Sequence, residues 1–338
     1  MEWTRWVSDR VGRQQDVFST GSHRQHSLSK PATCRGIGLH GGRPVTVQLL
    51  PAPSDTGLVF TRTDIGRRVD IPATIDRVSE VDHATSLSGD GTQVGTVEHL
   101  LSALAGLGVD NCRIEVDGPE LPILDGSSAP WVYLLHEAGL QPQRAPRRVR
   151  RITRSFTHEL DHASLSVHPA HRLRLTCVID FDHPAIGRQE ASVTVEPRSF
   201  AETIAPARTF GFLHEVESLR RAGLVKGGSY SNAIVLDEHG VLNGQLRFPD
   251  EFVRHKLLDL LGDLALTGPP LQGHVVARCA GHRSHASFGR ALLASSHCWR
   301  IEEKREPSQR HPVRATGATT PPLSTPAFGL GGSAASLD

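Results

Sequence analysis

The chain has 338 residues, 38% apolar and 22% charged, the composition of a soluble globular protein long enough for two domains with cores of their own. Its 37 Lys and Arg nearly balance 36 Asp and Glu, so no global field selects nucleic acid or an anionic membrane as the partner, and specificity must come from a local site. Cys34, Cys112, Cys177, Cys279 and Cys298 are scattered and form no CxxC pair, which argues against a disulfide framework and a cysteine-based zinc site and points to a reducing compartment. The N-terminus has no apolar signal region and no run of 18 apolar residues occurs, so neither secretion nor a membrane span is expected.

The first 25 residues are polar and unpatterned and read as a disordered extension. "RPVTVQLLPA" and "GLVFTRTD" alternate and are β-branched, as strands do. A Gly-rich turn, "SGDGTQVG", precedes the helical run "TVEHLLSALAGLG" and the strand "NCRIEVDG". "QPQRAPRRVRRITRS" shifts to Pro and Arg and reads as a linker. Beyond it come strands "ASLSVHPA" and "RLRLTCVIDF", a helix near "FGFLHEVESLRRAG", strand "NAIVLD", helix "FVRHKLLDLLGDLAL", strand "GHVVARCAG" and helix "SFGRALLASS". Residues 301–338 are rich in Pro, Ser, Thr, Ala and Gly, with too little apolar surface to offset ordering entropy, and read as a disordered tail. The fold class expected is α+β, with domains at 26–149 and 150–300 that share a strands-then-helix grammar without sequence repetition.

Helix "FVRHKLLDLLGDLAL" carries His255, Asp259 and Asp263 along an otherwise apolar segment. His255 and Asp259 are four residues apart and therefore neighbours on one helical face, within reach of a single ion. Alone, such a pair is more often a surface ion pair. "TVEHLL" adds a second imidazole, His99, directly after a carboxylate, Glu98, which supplies what a catalytic zinc site requires: three protein ligands, an open position and a general base. Asp125 and Ser127 of "LPILDGSSAPWV" fall in an Asp-Gly turn and read as shaping a loop.

"GIGLHGG", "TVEHLLSALAGLGVDNCRIEVDGPELPILDGSSAPWV", "ARTFGF", "GGSYSNAIVLD", "LRFPDEFVRHKLLDLLGDLAL" and "AGH" together resemble the UDP-3-O-acyl-N-acetylglucosamine deacetylases of lipid A biosynthesis, from about His26 to Cys298. The resemblance implies a β-α-α-β sandwich and a zinc-dependent amidase, a hydrolase that removes acetate from the 2-amino group of an acylated UDP-glucosamine in the cytoplasm. It places one zinc ion on His99, His255 and Asp259, with Fe2+ as a competitor in the cell. Glu98 falls on the general base, His282 on the second catalytic group, Thr209 on a hydroxyl that holds the oxyanion, and Asp263 on the carboxylate that orients the catalytic His. Lys256 falls on the cation near the diphosphate, Phe181 on an aromatic against uracil, and Phe210 of "ARTFGF" also lies on the substrate side. "FGFLHEVESLRRAGLVKGGSYSNAIV" resembles the segment that builds an apolar passage for the acyl chain, with Leu213, Val216, Leu224, Tyr230, Ala233 and Val235 as candidate lining. Burial of that chain contributes roughly 0.8 kcal/mol per CH₂.

The expected partner is thus a small acylated UDP-sugar, with no nucleic acid and no integral membrane contact, on a monomer. A zinc amidase for another nucleotide sugar stays open, because the metal machinery reads neither acyl group nor sugar. So does a non-catalytic binder on the same fold, although a binder has no need of Glu98, Thr209 or His282. Several positions depart from the family pattern: Arg150, Arg151 and Arg154 stand in place of an alignable Lys, leaving a second phosphate contact unassigned, and two histidines are unusual. His83 in "VDHATS" stands near the metal helix, and His285 stands where Asn is common, so hydrogen bonding around His282 is expected to differ.

Overall fold

Alternation decides the strands, and it places two five-stranded sheets of one topology in the two halves of the chain. The computed structural model describes residues 22–304. In the first half the strand order is Ala32–Ile37, Pro44–Pro51, Cys112–Val116, Leu58–Arg62, Val69–Pro72. In the second it is Phe156–Leu160, Ala163–His168, His274–Arg278, Arg174–Phe181, Gly187–Thr194. Each sheet pairs its third and fourth strands parallel and all others antiparallel. Val45, Val47 and Leu49, spaced two apart, point into the core from one sheet, as do Leu175, Cys177 and Ile179 from the other.

Six α-helices stand among the described residues: α1 (Glu98–Leu107), α2 (Ala129–Ala138), α3 (Pro197–Thr203), α4 (Leu213–Arg221), α5 (Glu251–Ala265) and α6 (His282–Ala294). Helices α1 and α5 pack on each other between the sheets, giving the α+β sandwich. Both are buried around nearly their whole circumference, so their polar residues face protein rather than water. α1 ends at Gly108 in the left-handed conformation, φ 78°, which lets the chain turn into Cys112–Val116.

The closest approach of the two helices is set by Gly262, where a Cβ would lie 2.2 Å from the Glu98 carbonyl oxygen. That clearance brings the start of α1 onto the middle of α5. We therefore expect Gly262→Ala to lower stability by about 1–3 kcal/mol through overpacking, despite its better helix propensity. Denaturant midpoint and metal competition with a chelator should fall together, since the crossing aligns groups from both helices.

The Pro- and Arg-rich stretch expected to be a linker is instead two strands. Leu140–Pro146 pairs with Arg24–Leu28, and Arg148–Ile152 lies between Leu271–Gln272 and Trp299–Glu303. Only Arg147 and Arg150 of its arginines are buried, and each of these meets a specific group. Arg147 Nε donates to Asp110 at 2.8 Å, while Arg150 Nη2 donates to Thr267 O at 3.0 Å and its guanidinium stacks 3.9 Å from the Trp299 ring centre. The first strand takes in residues 24–25 and the last residues 301–303, so these positions are strand rather than part of the ends read as disordered. The remaining expectations for the two ends fall on residues outside the described range. Among the described residues no helix is long and apolar enough to cross a membrane.

Candidate metal centre

Three ligand-bearing side chains converge at the crossing of α1 and α5. His255 and Asp259 stand one turn apart on α5, and α1 delivers His99 against them. His255 Nε2 lies 3.3 Å and His99 Nε2 3.9 Å from Asp259 Oδ1, and the two imidazoles meet edge-on with centres 5.1 Å apart. All three residues are buried. His255 Nδ1 donates to Ala207 O at 3.1 Å, which leaves Nε2 of the neutral ring as a lone pair aimed at Asp259 Oδ1. Asp259 Oδ1 is itself buried without a hydrogen-bond partner. Facing lone pairs in a dry site repel unless a cation lies between them, so the donor set fits a divalent metal.

The ionisation states agree. Burial, and then the neighbouring His255, pushes the His99 imidazole down to about 3, and burial likewise lowers His255, so both rings stay neutral and able to ligate. For Asp259, burial favours the neutral acid, but the surrounding His255, Lys256, His282 and His99 outweigh it, with Lys256 and His282 the ones charged at neutral pH, and hold the carboxyl far below its ordinary range. Lys256 Nζ contacts Asp259 Oδ2 at 3.0 Å, which occupies that oxygen and leaves Oδ1 as the donor.

A second cluster adjoins the first. His282, at the start of α6, donates from Nδ1 to Asp263 Oδ2 at 2.7 Å, and its Nε2 faces Asp259 Oδ2 at 4.0 Å. Burial alone lowers an imidazole, but Asp263, Asp259 and Glu98 raise His282 to about 9, so it is an imidazolium at neutral pH. Glu98, buried at the start of α1, is pushed up to about 7 by desolvation, which outweighs the pull of His282. A carboxylate near neutrality beside a cationic imidazole is an acid–base pair.

Thr85, a residue with no signal in the sequence, joins these groups. Its backbone N–H donates to Glu98 Oε2 at 3.1 Å, and its hydroxyl donates to Asp263 Oδ1 at 2.6 Å and lies 3.2 Å from His282 Nδ1. The departure at His285 has a definite consequence: its Nδ1 shares Asp263 Oδ2 with His282, at 2.8 Å. His83 is exposed.

Of the other sequence-predicted residues, Lys256, Phe210 and, through Phe210, Phe181 adjoin the centre. Phe210 lies 6.3 Å from the His255 ring and 5.7 Å from Phe181, centre to centre, and Lys256 Nζ stands 5.4 Å over its face. Thr209 is hung between two segments, its N–H donating to Gly126 O and its carbonyl accepting from Ile234 N–H. Leu213 and Val216 are half-buried on α4, which has no fully buried residue; Leu224 and Ala233 are half-buried too. Tyr230 is 60% exposed, whereas Val235 is buried within strand Ile234–Leu236. Asp125 accepts from the Ser127 N–H and hydroxyl and pairs with Arg247 at 3.0 Å, a loop brace.

An α+β sandwich with a buried His-His-Asp donor set beside a carboxylate and an imidazolium defines a metal-dependent hydrolase. The model of the UDP-3-O-acyl N-acetylglycosamine deacetylase family, LpxC, matches residues 25–294, and the chain belongs to that family. Among its relatives, the UDP-3-O-acyl-N-acetylglucosamine deacetylase of Myxococcus xanthus is 47% identical over 285 residues, covering 84% of this chain and 91% of the relative. The protein of the same name from Oleidesulfovibrio alaskensis is 48% identical over 301 residues, covering 88% and 98%. That from Acidithiobacillus ferrooxidans is 46% identical over 286 residues, covering 84% and 94%.

Proposed function

We propose that this chain is a zinc-dependent amidase that hydrolyses the 2-acetamido group of UDP-3-O-acyl-N-acetylglucosamine to acetate and the free amine, a step of lipid A biosynthesis. The observation that carries this reading is the unpartnered Asp259 Oδ1 facing the His255 lone pair, with Glu98 and His282 alongside. His99, His255 and Asp259 would hold one zinc ion, and the same nitrogen and oxygen donors also suit Fe2+. When bound, the ion supplies a Lewis acid for the amide carbonyl and makes a water acidic enough to deprotonate near neutrality.

The chain's own residues do the rest. Glu98 takes a proton from the attacking water. The His282 imidazolium and the Thr209 hydroxyl stabilise the charge that develops on the carbonyl oxygen. As the C–N bond breaks, His282 gives its Nε2 proton to the departing nitrogen, while Asp263 and Thr85 keep the ring oriented through Nδ1. Phe181 and Phe210 offer aromatic surface to the nucleotide, and Lys256, about 100° round the helix from His255, a cation to the diphosphate. Leu213, Val216, Tyr230 and Val235 line the acyl passage. We further read two domains of about 26–149 and 150–300, extended by the strand residues at 24–25 and 301–303, each built on one five-stranded sheet, in a monomeric cytoplasmic protein.

Turnover of the acylated nucleotide sugar, measured before and after chelation and after zinc restoration, tests the reading. Chelation should abolish acetate release and zinc should restore it, while a substrate lacking the 3-O-acyl chain should be turned over far less efficiently. Acetate release that persists in the fully chelated protein would refute the proposal.

A further inference from the structure

Glu120 lies outside the metal centre, is buried, and makes its contacts to a different part of the chain. Its Oε2 accepts the His40 N–H at 2.9 Å and its Oε1 the Gly41 N–H at 2.6 Å, so one carboxylate fills the turn of "GIGLHGG". Charge-assisted bonds of this kind are about twice as strong as neutral ones. Gly38 and Gly41 leave room for it, since a Cβ at either would lie 2.2 or 2.9 Å from Glu120 Oε1.

The opposite edge of that turn grips the segment that follows α4. Leu39 O accepts from Gly227 N–H at 2.9 Å and His40 O from Lys226 N–H at 3.2 Å. The backbones touch: a Cβ on Gly227 would lie 2.2 Å from Gly38 O, and one on Gly42 would lie 2.8 Å from Lys226 Cβ. Lys226–Gly228 connects α4 to Tyr230 and Ala233, so this loop fixes one end of the apolar segment. Glu120 is tied in turn to the strand that leads into α1. Gly95 N–H donates to Pro119 O and Gly95 O accepts from Leu121 N–H, three residues before Glu98.

We propose that Glu120 is a positioning residue for acyl specificity: through the Leu39–His40 turn it holds the Lys226–Gly228 loop, and hence the mouth of the acyl passage, in register with the reacting centre. This inference rests on the proposed reading of that segment as the passage. The ligand concerned is the fatty chain of the substrate, and Glu120 acts on it without touching it.

The test compares a substrate bearing a long 3-O-hydroxyacyl chain with its 3-O-acetyl analogue in wild type, Glu120→Ala, Glu120→Gln and Glu120→Asp, alongside backbone amide exchange. In Glu120→Ala and Glu120→Gln, kcat/KM for the long chain should fall about tenfold or more, mostly through KM, while the analogue's value and the metal affinity stay within about twofold. Glu120→Asp, which keeps two acceptor oxygens, should recover part of the loss. Exchange of the Lys226 and Gly227 amides should quicken in Glu120→Ala. Equal losses on both substrates, no loss on either, or unchanged exchange at those two amides would overturn the inference. A wild type with no preference for the long chain would instead overturn the passage reading, and the exchange measurement would still decide whether Glu120 holds the loop.

Discussion

On the proposed reading, replacing Glu98 by glutamine should lower turnover by about 10²–10⁴-fold while leaving the content of added zinc unchanged, because a general base is lost and no ligand is. The substitution is close to isosteric, and its amide oxygen can still accept from the Thr85 N–H that bonds Glu98 Oε2 at 3.1 Å. Turnover and zinc stoichiometry, measured together, check it; near-normal turnover would remove Glu98 from the mechanism. The same variant has a signed effect on stability. Burial raises Glu98 in the folded protein to about 7, so the folded state prefers the protonated acid. Stability is therefore lost as pH rises from the ordinary carboxyl range through about 7, and the metal-free Glu98→Gln protein should be more stable than metal-free wild type above that pH. His282 has the same sign in a higher pH window. Its folded value is raised to about 9, so its contribution is present at low pH and is lost as pH rises from the ordinary imidazole range through about 9. A bound cation would pull both groups down, so the acid limb of activity should lie below 7 in the metal-loaded enzyme.

How much of this was legible in the sequence depends on what each group contacts. α1 and α5 announced themselves, since Leu100, Leu101 and Leu104 on one and Leu257, Leu260, Leu261 and Leu264 on the other recur at helical spacing and are buried. The donor set followed from His255 and Asp259 one turn apart together with the resemblance that picked out His99. Strand Arg148–Ile152 was misread because arginine and proline composition says nothing about partners: Arg150 is buried against a helix-end carbonyl and a tryptophan that are distant in sequence. Strands Phe156–Leu160 and Gly187–Thr194 lie at the edges of their sheet and carry many polar residues, so alternation there is faint. Thr85 was invisible for a different reason. A threonine bonding to Glu98 through its backbone and to Asp263 through its hydroxyl has no spacing rule, and it is found only once the fold brings residues 85 and 263 together. The Ala207 carbonyl that sets the His255 tautomer is a main-chain atom, which no side-chain pattern can reveal.

That carbonyl belongs to a segment held by one buried ion pair, and cutting the pair should have the largest effect on stability of any single change outside the ligands. The Glu251 carboxylate, at the first position of α5, is fully buried and accepts four hydrogen bonds. Arg208 Nε donates to Oε1 at 2.9 Å, Arg208 Nη2 to Oε2 at 3.1 Å, the Arg208 N–H to Oε1 at 3.0 Å, and the Arg247 N–H to Oε2 at 2.6 Å. Arg208→Ala leaves that carboxylate buried with two backbone donors and no counter-charge, at a cost of about 3–5 kcal/mol. Adding Glu251→Gln removes the stranded charge and should return part of the loss, which a double-mutant cycle on denaturant midpoints would read as coupling between the two sites. The chemistry should suffer as well. Arg208 sits between Ala207, whose carbonyl orients His255, and Thr209, so loosening it frees the ligand ring to rotate; zinc affinity of the folded fraction should drop about 10–100-fold, as when a ligand loses the partner that orients it. Chelator competition on the folded protein separates the two effects: a lowered midpoint with wild-type zinc affinity would make the pair a brace for α5 and nothing more.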